Sequence, residues 1–384
     1  MAQLVVTVDK LNKRTAIPVT LSDKSSIAGV VEKGFRFEGF PFVNTATNGK
    51  KWYKDREGFF YWAGGLMEEA TTVLPHFQPA ANSYFAESPI LTNWNARLKQ
   101  VPADWKRAGG QGVKVAVLDT GIFKDHEDIK TGITLYQDFT AVKDEIDYSG
   151  HGTHVAGIIG ARSNAINGLI GVAPKCELII LKVLGDEKDI ADPDNFNNII
   201  DALDVAVSSG ADIVNMSFSL QTNRDNPTQE WKDSLEALKN KIAALSAMNI
   251  LLIAAAGDKA DLKEGRLFFP ASEKGVLSVA AINEGYLDRH NDVSASLNIV
   301  GPFVNYFSTY IPPKFYEALP GCSMCTAFLS GIVALCISVR KMNGATSTSR
   351  AELLNLLNSC SIQPASFDYR NSDEFYFNLL NITS

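Results

Sequence analysis

From Val113 onward, short uninterrupted apolar runs alternate with longer stretches whose apolar residues recur every three or four positions. "VKVAVL", "ELIILKVL", "DIVNMS", "ILLIAAA" and "GVLSVAAI" are too short for helices and lack the in–out alternation of a half-exposed strand. They read as strands buried on both faces. Between and after them come helical patterns. "HGTHVAGIIGA" reads as a helix start, Asn195 to Ser208 as a helix, and "SMCTAFLSGIVALCISV" as an apolar helix. Trp231 to Met248 is amphipathic, with Leu235, Leu238, Ile242 and Leu245 on one face. Buried strands alternating with helices predict an α/β fold, a parallel sheet flanked by helices. In such sheets sites form at the carboxyl ends of strands.

The first 75 residues differ. "KGFRFEGFPFVNTATNGKKWYKDREGFFYWAGGL" has no helical period and is dense in aromatic and turn residues. Asn48-Gly49 is a hairpin turn signal. Phe35, Phe37, Trp52, Tyr53, Phe59, Tyr61 and Trp62 suit the short strands of a small barrel, filling its core or lining a ligand groove. The expected organisation is a small β-rich domain over residues 1–75, a linker over 76–94 carrying Pro79 and Pro89, and a large domain over 95–384.

Composition narrows the function. With 384 residues, 46% hydrophobic and 21% charged, the chain can bury a sizeable core. A net charge of −7 argues against nucleic acid as the main partner, since phosphate binding needs a basic face. Five scattered cysteines do not form a disulfide framework. "MAQLVVTVDK" has neither the charged nor the apolar region of a signal peptide, and no apolar run is counted as reaching the ~18 residues of a membrane span. The expectation is a cytoplasmic protein without a membrane partner.

Three polar groups fall where a site is expected. Asp119 ends the strand "VAVL", His151 opens one helix, and Ser323 opens the long apolar helix in "GCSMCTAF". A serine becomes a strong nucleophile only when a base takes its proton and a third group orients that base. Free N–H groups and the positive dipole end at a helix start favour the oxyanion formed when such a serine attacks a carbonyl. Other readings fit less well. Asp-Thr-Gly also marks aspartic proteases, which need a second such carboxylate, and no second D-[TS]-G occurs. His151 and His154 without nearby Cys or carboxylate ligands make a poor zinc site.

"VKVAVLDTGI", "GHGTHVAGIIGA", "IVNMSFS" and "GCSMCTAFLSGIVAL", in that order, resemble the subtilisin family of serine endopeptidases. "VPADWKRAGGQGVKVAVLDTGI" resembles the family's approach to its first strand, and the likeness spans roughly residues 95 to 345. The resemblance implies that Asp119 orients His151, that His151 is general base and acid, and that Ser323 is the nucleophile. His154 would be structural. Ser217, Phe218 and Ser219 match the segment that pairs with an extended substrate backbone. Ala255, Ala256 and Gly257 match one wall of the pocket for the residue preceding the cleaved bond, and Phe268 falls near its floor. A bulky floor favours small residues there. The stretch "KWYKDREGFFYWAGG" resembles bacterial SH3-like modules, which implies an activating or recruiting partner for the N-terminal domain. Many family members bind calcium. No D-x-[DN]-x-[DN]-G loop is present, and Asp186, Asp189, Asp192 and Asp194 read as a solvated loop, so no cofactor is expected and calcium is not indicated.

Three departures stand out. The family's "GTSMA[ST]P" is "GCSMCTA", so Cys322 and Cys325 flank the nucleophile and Ala327 replaces a proline. Small thiols suit a core, whereas a redox role needs an exposed, acidic thiol. The family's oxyanion amide is replaced by Asp258, although a few kexin-like members carry Asp there too. An ionised carboxylate only accepts hydrogen bonds. Losing that donor in a subtilisin costs on the order of 10²–10³ in turnover. Asp258 then either donates as a protonated acid, or leaves the backbone N–H groups to work alone, or marks a peptide-binding pseudoprotease or adaptor.

Overall fold

The computed structural model describes residues 2–14, 26–33, 35–43, 51–55, 59–63, 66–68, 103–141, 143–162, 168–185, 193–220, 222, 225–248, 250–257, 267–282, 299–302, 305–360 and 378–379. Asn48-Gly49, the expected linker, Asp186 to Asp192 and Asp258 lie outside them. The chain divides into two compact units, Met1–Ala81 and Asn82–Ser384.

The first unit is an antiparallel sheet. Its strands are β1 (Ala2–Val6), β2 (Lys10–Arg14), β3 (Ile27–Glu32), β4 (Arg36–Val43), β5 (Lys51–Asp55), β6 (Phe60–Trp62) and β7 (Leu66–Glu68). Their order is β3-β2-β6-β5-β4-β1-β7. β4 and β5 pair from Gly39↔Asp55 to Val43↔Lys51, so the stretch holding Asn48-Gly49 joins two adjacent antiparallel strands. Aromatic residues fill the small core. Tyr61 is fully buried, with its ring 4.2 Å from that of Phe37, and Val6 and Leu11 pack beside it.

The second unit begins with α1 (Ala103–Ala108), β8 (Lys114–Asp119), β9 (Ile133–Asp138), α2 (His151–Gly160), β10 (Glu177–Lys182), α3 (Pro193–Ser208), β11 (Ile213–Met216) and α4 (Gln229–Ala247). It continues through β12 (Leu251–Ala255), β13 (Val276–Ile282), β14 (Ile299–Pro302), β15 (Tyr306–Thr309), β16 (Tyr316–Leu319), α5 (Cys322–Met342), α6 (Arg350–Cys360) and β17 (Asn378–Leu379). The main sheet has the order β17-β14-β13-β12-β11-β8-β10-β9. It is parallel except where β17 meets β14. β15 and β16 form a separate antiparallel pair.

Each central strand sends alternate side chains to opposite cores. Val115 and Val117 face a layer containing α2 and α5, while Ala116 and Leu118 face α3 and α4. Burial on both faces explains why these strands read as continuous apolar runs. α4 begins where Thr228 accepts a 3.2 Å hydrogen bond from the Trp231 N–H, a side-chain cap on an otherwise unpaired donor. Its Trp231, Leu235, Leu238, Ile242 and Leu245 form the buried stripe.

One expectation needs correction. α5 is 21 residues long and is apolar enough to cross a membrane by length and composition. Within the fold, 89% of its most apolar window is buried, because it is the central helix packed against the sheet. A helix that is apolar all round fits either environment, and here protein surrounds it.

The topology places a site. From β9 at one edge the chain enters β10 beside β8, then crosses to β11 on the other side of β8. The winding reverses around β8, and its carboxyl end is Asp119. Open parallel sheets bind ligands at that kind of reversal.

Candidate active site

Asp119 has no exposed surface, so its carboxylate must be paired by the protein. One oxygen, Oδ1, accepts from the Thr120 N–H at 2.8 Å and meets His151 Nδ1 at 2.7 Å. A carboxylate only accepts, so Nδ1 carries the proton and Nε2 is left as a base. The imidazole keeps a quarter of its side-chain surface exposed, enough for a reacting group to approach.

Glycines bring the two residues together. Gly121 turns the chain out of β8 with φ +109°, a conformation that favours glycine. A Cβ on Gly152 would lie 2.1 Å from the Gly121 carbonyl oxygen. The start of α2 therefore packs directly on the backbone that follows Asp119. Thr120 Oγ1 accepts from the Gly152 N–H at 3.0 Å and closes the joint.

Ser323 is the second residue of α5. The pairing Asn215↔Val117 sets Ser217 beside Asp119 at the ends of neighbouring strands. Ser323 Oγ donates to the Ser217 carbonyl at 2.7 Å, and Ser217 Oγ lies 2.9 Å from the Ser323 carbonyl. That reciprocal clasp fixes the helix start to the end of β11. Behind it, Asn215 Oδ1 accepts from Ser217 Oγ at 2.9 Å and Asn215 Nδ2 donates to Ser330 Oγ at 3.0 Å. All three of His151, Asp119 and Ser323 are thus brought to the carboxyl edge of the sheet around β8.

The remaining predicted residues line that edge. Phe218 is buried, and Ser219 Oγ donates to the Ala255 carbonyl at 3.2 Å, tying the Ser217–Ser219 segment to the end of β12. Ala255 and Ala256 are buried, and Gly257 has φ +106°. A Cβ there would come within 2.2 Å of the Phe268 ring, so that ring lies directly against Gly257. The Phe268 N–H donates to the Ala256 carbonyl at 3.2 Å. At these joints Thr120 and Asn215 escaped the sequence reading. Asn215 left a trace, as the one amide inside the apolar run "DIVNM".

Residues 110–369 match the model of the Subtilase family. The chain belongs to the subtilase family. It is 37% identical over 247 residues to an intracellular serine protease of Paenibacillus polymyxa, covering 62% of this chain and 70% of the relative. It is 34% identical over 263 residues to the major intracellular serine protease of Bacillus subtilis (strain 168), covering 66% and 77%. The fold is similar to a crystal structure of a lanthipeptide protease, with TM-score 0.56 and 22% identity over 70% of this chain and 86% of that one. This subtilase is a serine-type endopeptidase.

The departures from the subtilase pattern have local explanations. Cys322 Sγ donates to the Gly257 carbonyl at 2.9 Å and accepts from the Ala281 N–H at 3.3 Å. Cys325 is buried, and desolvation pushes its thiol far up from the ordinary range. Both are buried packing and bridging groups, without the exposed thiol that redox chemistry needs. Ala327 is fully buried in the second turn of α5, where an N–H is available to continue the helix.

His154 is also buried, and its Nε2 donates to the Glu317 carbonyl at 3.0 Å. That bond ties α2 to β16, which fits a structural role. Desolvation lowers its pKa from 6.5 to about 3. Between those values the unfolded chain binds a proton that the folded chain refuses, so stability is full above 6.5 and declines as pH falls toward 3. The unfolding midpoint in denaturant should therefore fall from pH 6.5 to pH 4 more steeply in the wild type than in His154→Gln. Equal slopes would remove His154 from the acid response.

Proposed function

We propose that Asp119, His151 and Ser323 act as one catalytic triad that hydrolyses internal peptide bonds through a seryl acyl-enzyme. The 2.7 Å bond from Asp119 to His151 carries this reading, with Ser323 at a helix start, its hydroxyl donating to the Ser217 carbonyl, from which it would turn to His151 Nε2. Ser323 Oγ attacks the carbonyl carbon while His151 Nε2 takes its proton. The tetrahedral intermediate collapses as His151 returns that proton to the leaving amine. Water then repeats the sequence and frees the acyl group. Asp119 holds the imidazole and offsets its transient positive charge. Backbone N–H groups at the start of α5 face the developing oxyanion. An extended substrate lies along Ser217–Ser219 on one side and Ala255–Gly257 on the other, in β-strand fashion. The similarity to proteases named as intracellular supports action in the cytoplasm. The N-terminal unit, whose described residues form an antiparallel sheet, is read as an SH3-like recruiting module.

A fluorophosphonate probe should label wild type at Ser323. Ser323→Ala should lose labelling and on the order of 10⁶-fold in turnover, the size known for a subtilisin. A folded wild type unlabelled from pH 5 to 8 would favour the peptide-binding pseudoprotease instead.

Residue 258 sets how well the oxyanion is held. In our reading a protonated Asp258 donates where relatives use an amide. Turnover should then fall on the alkaline side, and Asp258→Asn should restore it. An unchanged pH profile in that variant would reject the protonated donor.

The Phe268 ring against Gly257 makes a shallow pocket for the residue before the cleaved bond. Phe268→Gly should raise kcat/KM for substrates with Phe or Leu there relative to Ala by about tenfold or more. No shift in that ratio on a peptide series would place the pocket floor elsewhere.

A further inference from the structure

Asp147 lies four residues before His151 and is almost completely buried, 2% exposed. Its carboxylate accepts four hydrogen bonds. Oδ1 takes the Gly150 N–H at 2.8 Å and Thr120 Oγ1 at 2.9 Å. Oδ2 takes the Thr153 N–H at 2.9 Å and Thr153 Oγ1 at 2.6 Å. A carboxylate has about four accepting positions, so these donors offset its desolvation.

These partners belong to different parts of the site. Gly150 is the residue at the N-cap of α2, and it has no side chain with which to cap. Asp147 takes over that duty from outside the helix through the Thr153 N–H, and its charge suits the positive dipole end. Thr153 Oγ1 in turn accepts from the Phe123 N–H at 2.8 Å, holding the segment beyond Gly121. Thr120 is the other partner. Its own N–H donates to Asp119 Oδ1, the same oxygen that meets His151 Nδ1. Its hydroxyl oxygen accepts from the Gly152 N–H.

We infer that Asp147 is a positioning residue. It fastens the strand end carrying Asp119 and the helix start carrying His151 to one buried carboxylate, which fixes the aim of the imidazole. The inference rests on the triad reading above. No substrate contact is required of Asp147, and its effect passes through Thr120 and the backbone of α2. A misplacement of about 1 Å in a catalytic group costs on the order of 10²-fold in rate.

The test uses the full chain with two near-isosteric substitutions. Asp147→Asn replaces one acceptor oxygen with an NH₂ that cannot receive the donors facing it. Thr120→Val removes the hydroxyl that joins Asp147 to the residue after Asp119, and with it the acceptor of the Gly152 N–H, while the Thr120 N–H still reaches Asp119 and the Gly150 and Thr153 bonds stay in place. Each variant is checked for folding by circular dichroism, and its competent fraction is counted by complete fluorophosphonate labelling. Asp147→Asn should lose about 10²-fold in kcat per labelled site with KM within about threefold, because the substrate-pairing segments lie on other strands. Thr120→Val should lose about tenfold or more in the same manner, and the double variant should be little worse than Asp147→Asn alone. The proposal is overturned by a kcat per labelled site within threefold of wild type, or by effects of the two changes that simply multiply. Should Asp147→Asn not fold, Thr120→Val decides, with an unchanged kcat refuting the idea. A wild type without Ser323-dependent turnover removes the triad reading and this inference together.

Discussion

The buried hydrogen bond between Asp119 and His151 is the contact around which this unit is arranged. A carboxylate without solvent needs donors, and backbone N–H groups not taken by the ladder of a doubly covered sheet lie beyond its strand ends. Asp119 sits where the central strand stops, and the Thr120 N–H and the imidazole reach it there. The position of the chemistry therefore follows from where polarity can be accommodated.

Bringing α2 close enough to make that bond depends on absent side chains. Gly152 meets the Gly121 carbonyl, and Gly157 would place a Cβ 2.0 Å from Thr309 Oγ1 on β15. On its other side Ser308 and Thr309 donate to the His154 and Thr153 carbonyls at 2.8 Å each. A ten-residue helix is thus gripped by a strand end and a hairpin, with small or polar groups at each contact. A rigid helix start is what a general base requires, since its orientation is then set before substrate arrives.

Much of this was legible in the chain. The central strands announced themselves because burial on both faces writes an unbroken apolar run. Asp119, His151 and Ser323 were legible as candidates because each ends or begins an element whose pattern is plain. β9 was not read, since as an edge strand its "ITLYQD" is only partly buried and has no clean period. The β15–β16 hairpin was hidden by the Pro-Pro pair inside "STYIPPKFY". Thr120, Asn215 and Asp147 were missed for another reason. Each has at least one partner 27 to 115 residues away, and no local pattern records a hydrogen bond across that span. The length of α5 shows the same limit, because an apolar helix of 21 residues does not state whether lipid or protein surrounds it.

Gly257 shows how little freedom the departures at the oxyanion position leave. Its carbonyl accepts from Cys322, one residue before Ser323, and its α-carbon lies under the Phe268 ring. Its φ of +106° directs the chain onward from the end of β12 in a conformation that favours glycine. The backbone thus approaches residue 258 from a point tied to the start of α5. An amide and a carboxyl group at residue 258 are nearly the same size, so the exchange alters donor capacity far more than shape. The Cys322 thiol, a weaker donor than a hydroxyl, makes the tie to Gly257 that holds this approach. What separates this sequence from the family pattern at residue 258 is therefore donor capacity rather than bulk.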